Sequence, residues 1–162
     1  MIRRATQSDF ATVLSLIESG RKIMRESGNP DQWPEGRPEP SKISKDIADG
    51  NCWIVEECGV PEATFAFIEG PDPTYARIDG GAWLNDAPYH VIHRIARSQS
   101  ARGIFRKVMD WCFERTDTIR IDTHVDNAIM KHCLEGYGFI YCGIIYLENG
   151  DKRMAYQLSR EK

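Results

Sequence analysis

Tyr89-His90-Val91-Ile92-His93-Arg94-Ile95-Ala96, then Arg97-Ser98-Gln99-Ser100-Ala101-Arg102, then Gly103-Ile104-Phe105-Arg106 form one continuous stretch with three different characters. The first part reads as a long strand, rich in β-branched residues. The second is short and polar. From Gly103 onward, Ile104, Val108, Trp111, Cys112 and Arg115 recur at i, i+4, i+7, i+8, i+11, which is helical spacing. Thr118 to His124 follows as a strand alternating isoleucine with polar residues. Strand, helix, strand joined this way makes a parallel βαβ unit, so the chain is predicted to be α/β. The polar junction matters for chemistry as well. A helix start presents free backbone N–H groups and the positive end of its dipole, which suits an anion such as phosphate. Arg102 and Arg106 add charge there. Gly103 leaves room for a backbone to touch a pyrophosphate.

Working outward, Met1 to Ala5 reads as a short strand. Thr6 or Ser8 offers an N-cap to a long amphipathic helix carrying Phe10, Val13, Leu14 and Ile17, which ends near Ser27-Gly28-Asn29-Pro30. Asp31 to Pro40 holds three prolines and is expected to be a cleft-lining, lid-like loop anchored by Trp33. Ser41 is expected to cap a short helix with Ile43 and Ile47. Cys52–Glu56 and Ala63–Ile68 form an antiparallel hairpin, followed by a Gly- and Pro-marked loop from Gly70 to Pro88. Beyond the βαβ unit, Asp126 or Asn127 starts a helix with Met130, Cys133, Leu134 and Tyr137, ended by Gly138. Phe139–Leu147 and Arg153–Leu158 close the chain as a hairpin across Asn149-Gly150.

The composition narrows the function classes. The sequence has 162 residues, with 21 Lys and Arg against 24 Asp and Glu, a formal net charge of -3. That is enough chain for one well-buried core, and residues 1–162 are expected to form one domain. The charge balance lacks the positive field of a nucleic-acid or anionic-membrane binder, so neither partner is expected. No apolar run approaches the ~20 residues of a membrane span, and the arginines near the N-terminus are followed by no apolar signal core. A cytoplasmic location is expected. The five cysteines have no CxxC spacing, and none of the four histidines pairs with another ligand at helical spacing. Neither a disulfide framework nor a metal is expected.

The order of elements resembles that of the GNAT superfamily of acyl-CoA-dependent N-acetyltransferases, over essentially the whole chain. The family's phosphate motif, [Arg/Gln]-x-x-Gly-x-[Gly/Ala], falls on Ser100-Ala101-Arg102-Gly103-Ile104-Phe105. Gly103 fits; Ser100 and Phe105 depart from it. A second motif, an Asn opening the next helix and Gly-Phe closing it, falls on Asn127 to Phe139. The Tyr that the family often places seven residues after this Asn, to protonate the departing thiolate, is Leu134 here. The ending Tyr141 to Gly150, with Ile92 to Ala96 and the Gln32-Trp33 loop, is similar to a bacterial GNAT subgroup of undefined substrate. The resemblance implies a mixed, largely antiparallel sheet with one parallel pair splayed around the cofactor, flanked by about four helices. It implies acetyl-CoA as acyl donor, held by Ile95, Ala96, Arg97, Arg102, Gly103, Ile104, Phe105, Arg106 and Asn127.

The implied reaction is direct attack by an amine of a small molecule or peptide. The amine must be neutral, so a base near neutrality is wanted. His93 is the candidate and His90 the second, because imidazole titrates in that range without tuning. Trp33 is expected to bind the acceptor. The rival readings are a catalytically weak or inactive acyl-CoA sensor or partner protein on the same fold, favoured by Phe105 and Leu134, and an unrelated α/β ligand-binding domain. A homodimer is left open by the sequence.

Overall fold

The structure is a computed structural model and describes residues 1–160. Among these, four α-helices flank a seven-stranded sheet. In chain order the elements are β1 (Ile2–Arg4), α1 (Phe10–Glu26), α2 (Pro40–Ala48), β2 (Cys52–Glu57), β3 (Val60–Glu69), β4 (His90–Arg97), α3 (Ile104–Phe113), β5 (Thr118–Thr123), α4 (Ala128–Tyr137), β6 (Ile140–Tyr146) and β7 (Lys152–Ser159). The sheet order is β1-β2-β3-β4-β5-β7-β6. All neighbours are antiparallel except β4 and β5, which are parallel as the βαβ reading requires.

Local chemistry accounts for the element ends. Asp9 accepts from the Thr6 backbone N–H at 2.8 Å in a capping box, so a short 3₁₀ turn, Gln7–Asp9, precedes α1. Gly28, at φ +86°, ends α1, and the next N–H, of Asn29, returns to the Met24 carbonyl at 2.8 Å. The second helix starts at Pro40, not at a Ser41 cap, because proline at the first helical position needs no N–H partner. Within the Gly70–Pro88 loop, Pro73–Tyr75 forms a 3₁₀ turn.

One face of the sheet packs under α3 and α4, where Phe65, Phe67, Ile92, Val108, Met109, Ile119, Ile121 and Leu134 bury themselves together. The other face is covered in two parts. The first is α1 and α2, through Val13, Ile17, Ile43, Ile47, Ile54 and Ala96. The second is the 70–89 loop, through Tyr75, Val91, Ile145 and Ala155.

Two irregularities of β4 shape its surroundings. Its pairing with β5 runs through His90–Ile119 and Val91–Arg120, and among the described residues no further pair joins them. The two strands therefore diverge toward their C-terminal ends. On the other edge, Ala66 pairs with His93 and Thr64 with Ala96, so Arg94 and Ile95 together face Phe65 alone. This β-bulge, with Arg94 at φ +52°, breaks the alternation of side chains. His93 and Arg94 consequently both lie on the side of the sheet opposite α3 and α4, His93 against the 70–89 loop and Arg94 against α2. Arg94 is held there by Asp46 of α2 through two bonds of 2.6 and 2.8 Å, an ion pair largely shielded from water. It is thus engaged away from any phosphate.

Candidate active site

The gap between the diverging strands opens into a cavity of about 490 Å³. Its walls come from both sides of the sheet. Gly20, Ile23, Met24 and Ser27 are contributed by α1 and the residue after it; Ile95, Ala96 and Arg97 by the end of β4. Ala101 to Arg106 supply the loop and first turn of α3, and Asn127, Met130, Cys133 and Tyr137 the near side of α4. A space lined by α1 on one face and by α3 and α4 on the other passes through the sheet.

At one end of the cavity stands the start of α3. Gly103 is its N-cap, at φ +67° and ψ +18°, and no side chain caps the helix. A Cβ built on Gly103 would meet nothing within 4 Å, so the backbone is open to an incoming group. The left-handed conformation favours glycine there for a second, independent reason. The loop before it is braced by its own arginines. Arg97 Nη1 donates to the carbonyls of Ser98, Gln99 and Ala101, and Arg102 Nη1 to those of Gln99 and Ala101. Arg106 lies over the Tyr137 ring, 5.5 Å from its centroid. Apolar walls with a cationic, N–H-rich end fit a long ligand carrying an anionic group, which is the donor set that a phosphorylated acyl carrier needs.

The bulky Phe105, where the family motif has a small residue, turns edge-on to Tyr137 and Phe139, with centroids 6.0 and 6.5 Å away. It lines the cavity together with its neighbours in the first turn of α3. Asn127 is the N-cap of α4: its Oδ1 accepts from the Met130 N–H at 2.9 Å. Leu134 is fully buried in the α3/α4 core and does not line the cavity. Tyr137 donates to Asp110 Oδ1 at 2.7 Å, and burial together with that bond pushes its phenol up. Cys133 lines the cavity, but burial pushes its thiol up too, which disfavours the thiolate.

The two candidate histidines lie on opposite faces. His90 stacks on Phe67 on the α3/α4 side, centroids 4.5 Å apart, with Nδ1 3.1 Å from the Thr116 hydroxyl. Burial lowers its pKa. His93 projects toward the 70–89 loop, partly exposed, and its Nε2 is 2.8 Å from Asp72 Oδ2. Asp72 also accepts from the Thr74 N–H at 2.9 Å and the Thr74 hydroxyl at 2.7 Å. Burial by itself would raise the Asp72 carboxyl; the bonds from His93 and Thr74 outweigh it and hold the group down at about 2. An ionised Asp72 can only accept, so it takes a hydrogen bond from Nε2–H and leaves the lone pair of the neutral ring on Nδ1. Asp72 is a partner that no spacing in the sequence reveals, because it sits in a loop that only the fold returns to β4. Trp33 does not line the cavity. Its ring lies behind the wall, 3.2 Å from where a Cβ on Gly20 would be, and packs with the α1/α2 core. Asp31, His124 and Asp126 also come together, with potential ligand atoms within 4.8 Å of one another; two of the three are exposed.

A mixed sheet with one splayed parallel pair, opening onto a helix start that no side chain caps, defines the acetyltransferase fold of GNAT type. The chain belongs to the GNAT family of acetyltransferases: it is 33% identical to a GNAT-family acetyltransferase from Streptococcus agalactiae, covering 100% of this chain and 96% of that one, with a TM-score of 0.90. A GNAT-family acetyltransferase from Listeria monocytogenes shares the fold at 20% identity and a TM-score of 0.72, over 98% of this chain and 94% of that one. So does a chain of the NatC complex bound to Gag peptide and CoA, at 15% identity and 0.61, over 99% and 98%. No family model and no curated protein matches the sequence. Among the described residues no helix is long and apolar enough to cross a membrane.

Proposed function

We propose that the protein transfers the acetyl group of acetyl-CoA to an amine of a small molecule or peptide by direct attack. The observation that carries this reading is the cavity at the splayed β4–β5 pair, with the open Gly103 turn at one end and Ile95 to Arg97 of β4 in its wall. The donor's phosphates are assigned to the N–H groups at the start of α3 with Arg102 and Arg106, its pantetheine arm to Asn127, and its thioester to the edge of β4 at Ile95 to Arg97. Each of these residues lines the one cavity.

His93 lies two residues before Ile95 in β4, roughly 7 Å along a regular strand, with its ring held by Asp72. The amine nitrogen bonds to the acetyl carbon as the C–S bond breaks. Its surplus proton passes to His93 Nδ1, directly or through one water, while Asp72 holds the ring and balances the imidazolium. The thiolate leaves without a protein acid, since Leu134 offers none, and takes its proton from solvent. A thiolate tolerates this because a thiol, with a pKa of about 8.5, is acidic enough to depart as its anion.

The test is free-thiol release from acetyl-CoA across a panel of small amines and peptides. Turnover is expected with at least one acceptor, and His93→Gln should lower kcat by about 10²–10⁴-fold at neutral pH. Acetyl-CoA binding without thiol release over the whole panel would support the sensor reading instead. A rate that follows only the acceptor's own pKa would remove His93 and leave proximity as the source of catalysis.

A further inference from the structure

The side chain of Gln32 has no role in the proposed reaction, yet four donors converge on its oxygen. Nδ2 of Asn29 and Nδ2 of Asn127 each donate at 2.9 Å, and the Thr123 hydroxyl and the His124 N–H lie at 3.4 Å. These groups come from three places: the loop after α1, the end of β5 and the cap of α4.

Their orientation is forced in sequence. The Met130 N–H can only donate, so Asn127 turns Oδ1 toward it and Nδ2 toward Gln32. Gln32 must then present its oxygen, a choice that the His124 N–H reinforces. Asn29 can answer that oxygen only with its NH₂. The buried Asn29 Oδ1 is left without a partner among the described residues, as the last link of the chain.

We infer that Gln32 is a positioning residue, whose single amide oxygen clamps the α1–α2 loop to Asn127, so that the loop backing the α1 wall of the cavity and the cap of α4 are set together. Trp33, the next residue, packs behind Gly20 in the cavity wall. The inference rests on the proposed assignment of Asn127 to the acetyl-CoA site.

The test uses two substitutions of similar length. Gln32→Met keeps the reach of the side chain and removes the acceptor; Gln32→Glu keeps an acceptor, which suffices because all four partners are donors. Hydrogen exchange in the ligand-free protein and calorimetric titration with acetyl-CoA are measured for each. Gln32→Met should speed exchange in both 28–38 and 123–131 and weaken acetyl-CoA binding roughly tenfold, the worth of one well-placed hydrogen bond. Gln32→Glu should restore both to within about twofold. Faster exchange confined to 28–38, with binding unchanged, would reduce Gln32 to a loop anchor and overturn the coupling. A Gln32→Glu variant as impaired as Gln32→Met would overturn the role of the oxygen. Should the wild type bind no acetyl-CoA, the cofactor assignment falls, while the exchange data still decide whether Gln32 couples the two segments.

Discussion

At the scale of single residues, the proposed chemistry depends on pairs that the chain brings from far apart. His93 on a strand meets Asp72 in a loop, and the carboxyl is depressed from 3.8 to about 2. A depressed carboxyl stabilises the fold fully above its unfolded pKa and loses that contribution as the pH falls through the folded value. Asp72→Asn should therefore lower the unfolding free energy by about 1–2 kcal/mol at neutral pH. The gap to wild type should narrow between pH 4 and 2, roughly the window set by the two pKa values, in urea titrations at stepped pH. The same variant should reduce kcat, by less than His93→Gln does, with the KM for acetyl-CoA little changed. An unaltered kcat would separate Asp72 from the reaction. The sequence offered His93 first and His90 second, both because imidazole titrates near neutrality without tuning. Only the packing of His90 on Phe67 separates them, because a strand sends its even and odd residues to opposite faces and the bulge resets the count after His93.

At the scale of elements, the start of α3 and the inner face of α4 carry opposite expectations. Gly103 occupies the left-handed region with open space around it, so Gly103→Ala should cost about 1–2 kcal/mol from backbone conformation alone, read by denaturation. Gly103→Glu carries the same strain but adds a negative charge where the donor's phosphates would sit. It should fold and yet lose the rise in melting temperature that acetyl-CoA produces. A preserved rise would take the 98–103 loop out of the site. Leu134 is different, because it is already fully packed. Leu134→Tyr should overfill the α3/α4 core, costing about 1–3 kcal/mol, without raising kcat. A stable and faster Leu134→Tyr enzyme would mean that this face of α4 does reach the thioester. Helix and strand identities were plain from periodicity; the Pro40 start of α2 shows where a boundary turned on one residue's missing N–H.

For the whole molecule, acetyl-CoA binding should stabilise the folded state by about 2.7 kcal/mol at a hundredfold excess over its dissociation constant, since the cavity exists only when α1, β4, α3 and α4 are assembled. A melting temperature that does not respond to acetyl-CoA would contradict the assignment of that cavity. The sequence by itself determined the α/β class, the parallel βαβ unit, the helix opening at Gly103 and a further helix start at Asp126 or Asn127. These are local properties: hydrophobic period, turn chemistry and helix-end chemistry act over a few neighbouring residues, and they are legible wherever those residues are contiguous. Only the tertiary structure decided that β4 and β5 part after Val91, that Arg94 is spent on Asp46, that Asp72 orients His93 and that Gln32 closes the loop onto Asn127. Each of these joins groups separated by 20 residues or more, apart from the strand divergence, roughly the range beyond which chain connectivity no longer says which side chains meet. There, the meeting is set by the packing of both faces of one sheet.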